Sequence, residues 1–312
     1  MTTERQVSRK AARSPIVAAA AVTVDLSSND YLGLRNDPRV RAAAIRAIER
    51  YGVGSGGARD VAVGMGLVHE LEQRLALYKG VPIVRVTQSG YAANIGIIPV
   101  LVAGDDVVIL DRQSHRSSAD GATLSGARVL TYPHADMAAL AEAVHFAADG
   151  KHRVLIVTDG VFGMSGDIAP LPRIVEIAEA AGAEVMVHLA SACLAALDVI
   201  EAEPERNDLL WANRHRLADG LASAGIDIGP SQTPIVPVIL RDPALALELG
   251  RRIRARGVIA GILVPPKVAP HEARLRLIAS AAHSPAEIDF AVSVIADASR
   301  SIDGTADRSA RV

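Results

Sequence analysis

Between residues 82 and 188 short β-branched runs alternate with longer helical stretches, and this alternation leaves few folds open to the chain. The runs are "PIVRVTQSG", "DDVVILD", "ARVLTY", "HRVLIVTDG" and "AEVMV", and segments such as "AANIGIIPVLVAG" and "MAALAEAVHFAA" separate them. Strands that alternate with helices in this way predict a mostly parallel sheet covered by helices on its faces. Upstream, "DPRVRAAAIRAIERYG" has Asp37 as a cap, Pro38 at the first helical position and Gly52 as a stop. The next helix, "VHELEQRLALYKG", places Val68, Leu71, Leu75 and Tyr78 on one face and stops at Gly80. After residue 188 the pattern becomes helix-rich through "LLWANRHRLADGLASAG". A strand "PIVPVIL", a helix "ALALELGRRIRARG", two further strands and a last helix follow. That helix opens with "SPAE", in which Ser284 caps, Pro285 suits the first position and Glu287 completes a capping box. The expected organisation is an arm over 1–25, a large α/β domain over 26–187, connecting helices over 188–225, a small α+β domain over 226–302 and a tail over 303–312.

The chain's 312 residues, half of them hydrophobic, suffice for a sizeable core, and the formal net charge of -2 gives no electrostatic reason to expect nucleic acid or an anionic membrane as partner. A single cysteine, Cys193, excludes an internal disulfide and a thiolate metal cluster; it reads as core filler in a protein of the reducing cytoplasm. The apolar stretch "PIVAAAAVTV" runs straight into "DLSSNDYLGL" and reads as arm and first strand, too short and alanine-rich for a membrane span.

Several segments carry candidate chemistry. "TQSGYAANIG" puts Ser89, Gly90 and Tyr91 between a strand and a helix, where free backbone N–H groups and the helix dipole suit a phosphate; a plain β–α turn has the same sequence. "GVGSGGARD" is a second glycine cluster and is equally a flexible loop. His115 in "LDRQSHRSSADG" follows the next strand, placed either to stack on a flat ring or to start a helix. Arg274 and Arg276 stand on one strand; one can reach a substrate carboxylate bidentately, or both are solvated.

In order along the chain stand "NDYLGL", "GVGSGG" with His69 and "LE" downstream, "SGYAAN", "DRQSHRSSADG", "PHADM", "TDGVFGMSGDIAPL", "LWAN", "TPIVPV" and "ARLRLIASAAH". This series resembles the α-oxoamine synthase family of pyridoxal-phosphate enzymes, of aspartate-aminotransferase fold type I, over nearly the whole chain from about residue 20 to 300. "TDGVF", "LWAN", "TPIVPV" and "SAAH" look closest to its glycine C-acetyltransferase branch, with 8-amino-7-oxononanoate synthase next. The resemblance implies a doubly wound sheet with a small C-terminal domain, and the joining of glycine or another small amino acid to an acyl-CoA with pyridoxal 5'-phosphate as electron sink. It further implies that Gly90 and Tyr91 offer backbone contacts to the coenzyme phosphate, that His115 stacks on its ring, and that Asn29 and Arg276 hold the substrate carboxylate. The family's members are dimers.

One segment departs from the family. After the strand matching "EVMV", members of the family carry an acidic pair and a histidine, then glycine-rich loops and a "GTLSKA"-like lysine segment. Here Val187 is followed at once by "HLASACLAALDVIEAEP", which resembles the helix after all of that. A contiguous block is missing, and with it the acid that pairs with the pyridine nitrogen and the lysine that forms the internal aldimine. The remaining lysines, Lys10, Lys79, Lys151 and Lys267, stand in no such motif. His188, next to the place of the acid, cannot supply negative charge. "FGMSG" in place of the family's "FSMDG" leaves Gly163 without a hydroxyl. Two expectations follow: an acyltransferase by descent that is inactive or impaired, or a non-catalytic protein of the same fold, as homodimer, as partner of a complete paralogue, or as a defective deletion product.

Overall fold

The computed structural model describes residues 24–54, 66–148, 150–188 and 194–309. Cys193 and most of the second glycine cluster lie outside the described residues.

In chain order the elements are β1 (Val24–Asp25), α1 (Pro38–Tyr51), α2 (Gly66–Lys79), α3 (Gly90–Leu101), β2 (Val107–Asp111), α4 (Arg116–Ser125), β3 (Arg128–Tyr132), α5 (Met137–Ala147), β4 (Val154–Asp159), α6 (Leu171–Ala181) and β5 (Glu184–His188). They continue with α7 (Leu194–Ala202), α8 (Glu205–Ser223), β6 (Ile235–Arg241), α9 (Pro243–Ala255), β7 (Val258–Ile259), β8 (Gly261–Leu263), β9 (Ala273–Ile278) and α10 (Pro285–Ser309). The large sheet has the order β3-β2-β4-β5, and every pair in it is parallel. Its inner strands "VVILD" and "VLIVTD" are buried along their whole length, because helices cover both faces and leave no solvated side to alternate with. Val107, Ile109 and Ile156 pack with α5 and α6 on one face, and Val108, Leu110, Leu155 and Val157 with α3 and α4 on the other.

A second core lies in the C-terminal half. The antiparallel sheet β6-β9-β8 packs against α9 and α10. Leu210, Leu217 and Leu221 of α8 and Val24 and Leu26 at β1 enter the same cluster. β1 pairs in parallel with β7, which ties the start of the described chain to this half. Local signals account for the ends of several helices. Asp37 accepts from Arg39 N–H ahead of Pro38. At α10, Ser284 N–H donates to Glu287 while Glu287 N–H donates to the Ser284 hydroxyl, the reciprocal pair of a capping box.

One expectation needs correction. The run Pro82–Val86 belongs to no strand among the described residues: its anchor is Val86 N–H on the Glu72 carboxylate, and Ile83 is 69% exposed. A strand exists only through the neighbour it pairs with, and among the described residues this sheet ends at β5. β5 itself differs from β4 in burial. Val185, Met186 and Val187 are half-buried, unlike their neighbours in β4, because β5 pairs on one side only among the described residues.

Candidate active site

The C-terminal ends of β2, β4 and β5 and the N-terminal ends of α3 and α4 converge at one edge of the sheet, where ligands bind in folds of this class. Ser89 adopts an extended backbone and its hydroxyl accepts from Ala92 N–H, so α3 starts at Gly90 with its first N–H groups aimed outward. His115 caps α4 in the same manner; its backbone N–H donates to Asp159 Oδ1 at 3.0 Å and its Nδ1 meets the Ser117 hydroxyl at 2.6 Å. Asp159, at the end of β4, is buried, and burial pushes its carboxyl above the ordinary carboxylate range.

His188 ends β5 among these groups. Its imidazole stacks on His115, with ring centroids 4.9 Å apart and planes at 20°. Asn94 Nδ2 lies 3.1 Å from its Nδ1 and 2.8 Å from the Ser117 hydroxyl. A Cβ built on Gly90 would fall 3.0 Å from its Cε1, so the ring rests on bare backbone. Burial pushes the imidazole below its usual value, although Asp159 opposes this, and the amide donor on Nδ1 agrees with a neutral ring that carries its proton on Nε2.

Gly90 and His115 thus meet at one place. Tyr91 turns away, its hydroxyl donating to Asp120 at 2.9 Å. Arg276 and Asn29 belong to a neighbouring region. Arg276 Nη1 donates to the Gly163 carbonyl at 3.2 Å, its buried Nε has no hydrogen-bond partner, and its charge acts on Tyr31; Asn29 is exposed, its carbonyl accepting from Tyr31 N–H. Arg274, two residues earlier on the same face of β9, is buried, and its Nη2 lies 3.5 Å from the half-exposed Glu272 carboxylate.

Sequence reading missed three features. Asn94 lies inside the quoted "SGYAAN" motif and Asp159 inside "TDGVF", but nothing local shows that both face His188. The third is a carboxylate pair around His134, whose Nδ1 lies 3.1 Å from Asp111 and Nε2 2.7 Å from Asp167. The motifs "DRQSH", "PHADM" and "GDIAPL" each hold one member, and only the fold joins them.

The sequence model of the family described as "Aminotransferase class I and II" matches residues 21–190 and 180–295, two stretches that meet where β5 ends. An 8-amino-7-oxononanoate synthase of Symbiobacterium thermophilum is 37% identical over 349 residues, covering 89% of each chain. One of Thermoanaerobacter pseudethanolicus is 34% identical, covering 86% of each. The first alignment is longer than the 312 residues of this chain, so that relative holds a stretch with no counterpart here. Among solved structures, a serine palmitoyltransferase with pyridoxal phosphate as internal aldimine superposes with TM-score 0.83 at 24% identity, over 89% of this chain and 88% of that one.

A coenzyme held in that way does not fit the residues present here. The ring of His115 is already stacked on His188, whose Cε1 also covers the side of Gly90 where a Cβ would stand. The described lysines, Lys79, Lys151 and Lys267, are all exposed. In lineage, as distinct from the equipment of its site, the assignment is plain: the chain belongs to the aminotransferase class I and II family, within the α-oxoamine synthase group of pyridoxal-phosphate-dependent acyltransferases.

Proposed function

We propose that the protein descends from the 8-amino-7-oxononanoate synthase branch and is catalytically silent by itself. The observation that carries this reading is the split of the family match at residues 180–190, the place where β5 ends and the sheet stops. Chemistry of this family needs an amine to capture the coenzyme and an acid to hold its ring nitrogen charged. The lost block takes both, and no described side chain replaces them at the end of β5. The names of the relatives favour this branch over the glycine C-acetyltransferase suggested by "TDGVF" and "LWAN". What the chain retains is recognition. Arg276, whose buried Nε has no partner among the described residues, and Asn29 suit the carboxylate of an amino-acid substrate.

A second reading makes the chain a subunit beside a complete relative in the cytoplasm. It is favoured by α1, which buries none of its residues fully and exposes Ile45 and Ile48, and by the side of β5 that has no partner strand among the described residues.

The test is spectroscopic and chemical. The purified chain is mixed with pyridoxal phosphate, reduced with borohydride and mapped by peptide mass. It is then assayed with the acyl donor and amino acid whose joining gives 8-amino-7-oxononanoate, and with glycine and acetyl-CoA. No aldimine band, no pyridoxyl-lysine and no product are expected. A pyridoxyl group on Lys267 or any other lysine, together with turnover, refutes the proposal. Coexpression with a complete relative, followed by light scattering, checks the second reading.

A further inference from the structure

We propose that the His188 imidazole is a built-in substitute for the coenzyme ring: it fills the slot outlined by Gly90, Asn94 and His115, so that a phosphorylated pyridine is excluded even when no covalent bond to the chain is needed. The inference deepens the reading above, which concerns the lost amine and acid. It adds that the slot for the coenzyme ring is itself closed.

Three contacts define the plug. The separation and tilt of the two imidazoles lie in the range of aromatic stacking, so the ring of His115 already has a planar partner. The side of Gly90 where a Cβ would stand is covered by His188 Cε1, which removes the bare backbone that lets a ligand approach the start of α3. Asn94 is only 1% exposed, and its two amide N–H groups are shared among the Ser117 hydroxyl at 2.8 Å, the Ser118 hydroxyl at 3.2 Å and His188 Nδ1 at 3.1 Å. The residue is held from the backbone too, since Gly160 N–H donates to the His188 carbonyl at 3.2 Å. An incoming ring has to expel the imidazole, break the bond to Asn94 and give up the stack on His115 before it makes any contact of its own. An uncharged imidazole is suited to this place, because it lies against the His115 ring, the Asn94 amide and Gly90 without bringing a buried charge.

The test uses pyridoxine 5'-phosphate, which has a hydroxymethyl group where the coenzyme has its aldehyde and so forms no imine with any lysine. Binding to the full chain, to His188→Ala and to His188→Asn is measured by equilibrium dialysis and by thermal shift. The unchanged chain is expected to show no saturable binding and no rise in melting temperature up to about 1 mM, and His188→Ala to bind about tenfold more tightly or better. His188→Asn, which keeps an acceptor for Asn94 in a smaller side chain, supplies the same comparison if the alanine variant does not fold. Equal affinity of the unchanged chain and the variants, or no binding by any of them, overturns the proposal. A borohydride-fixed pyridoxyl group on the unchanged chain instead strikes the reading of the previous subsection, and the aldehyde-free probe keeps the two failures apart.

Discussion

His134 Nε2 lies 2.7 Å from Asp167, while its Nδ1 faces Asp111 at 3.1 Å, so one imidazole bridges the end of β2, the turn after β3 and the loop after β4. The hydrogen bond with Asp111, then that with Asp167, raises its pKa from 6.5 to about 9. A group whose folded pKa is raised stabilises the protein fully below its unfolded pKa, and the contribution fades as pH rises through the folded one. The bridge is therefore expected to contribute about 2 kcal/mol near pH 6, allowing for solvent screening, and little above pH 9 or so. His134→Gln is expected to lower the melting temperature by a few degrees at pH 6 and hardly at all near pH 10. A deficit that stays constant with pH contradicts the assignment of charge.

The loop after β4 is tied to the C-terminal half through Gly166. Its φ is +76°, its carbonyl accepts from Gln232 N–H and the Thr233 hydroxyl, and a Cβ there would stand 2.7 Å from Ser231 Oγ and clash with the Ile235 carbonyl. Gly166→Ala combines an unfavourable backbone region with an overlap against main chain, and about 3 kcal/mol of destabilisation is expected. Urea unfolding measures it; a change within error shows that this turn gives way easily.

Asn213 of the "LWAN" motif sits on α8, 5% exposed, and donates to the carbonyls of Ser280 and His283. Replacement by alanine leaves these acceptors without their partner, which costs about 2 kcal/mol. The loss is expected as a lower urea midpoint with unchanged slope.

α1 exposes Ile45 and Ile48, each by about half. Ile45→Glu with Ile48→Glu is expected to change stability by less than about 0.5 kcal/mol, as surface substitutions do, and to reduce both binding of an apolar dye and association at high concentration. A large loss of stability indicates that this face is covered within the molecule.

Legibility followed locality. Caps at Asp37 and Ser284 and the inner strands "VVILD" and "VLIVTD" could be read from neighbouring residues, because their causes lie within a few positions. Pro82–Val86 could not: its β-branched run is a fair strand, but strands need partners, and the runs of this sheet end at β5. His115 and Gly90 were identifiable through motif resemblance, each at the start of its own helix. The contact that changes their meaning comes from His188, which lies far along the chain and was considered only for its charge. Its volume decides more: a neutral ring of the right thickness now lies where those two residues meet.

The free side of β5 places Val185, Met186 and Val187 at a border of the protein, half in contact with water. Main-chain N–H and C=O groups on that side have no neighbouring strand among the described residues, so this margin is where amide hydrogens should exchange early and where a foreign extended peptide would find a ready template. Ease of opening and readiness to take on a partner strand thus fall on the same five residues.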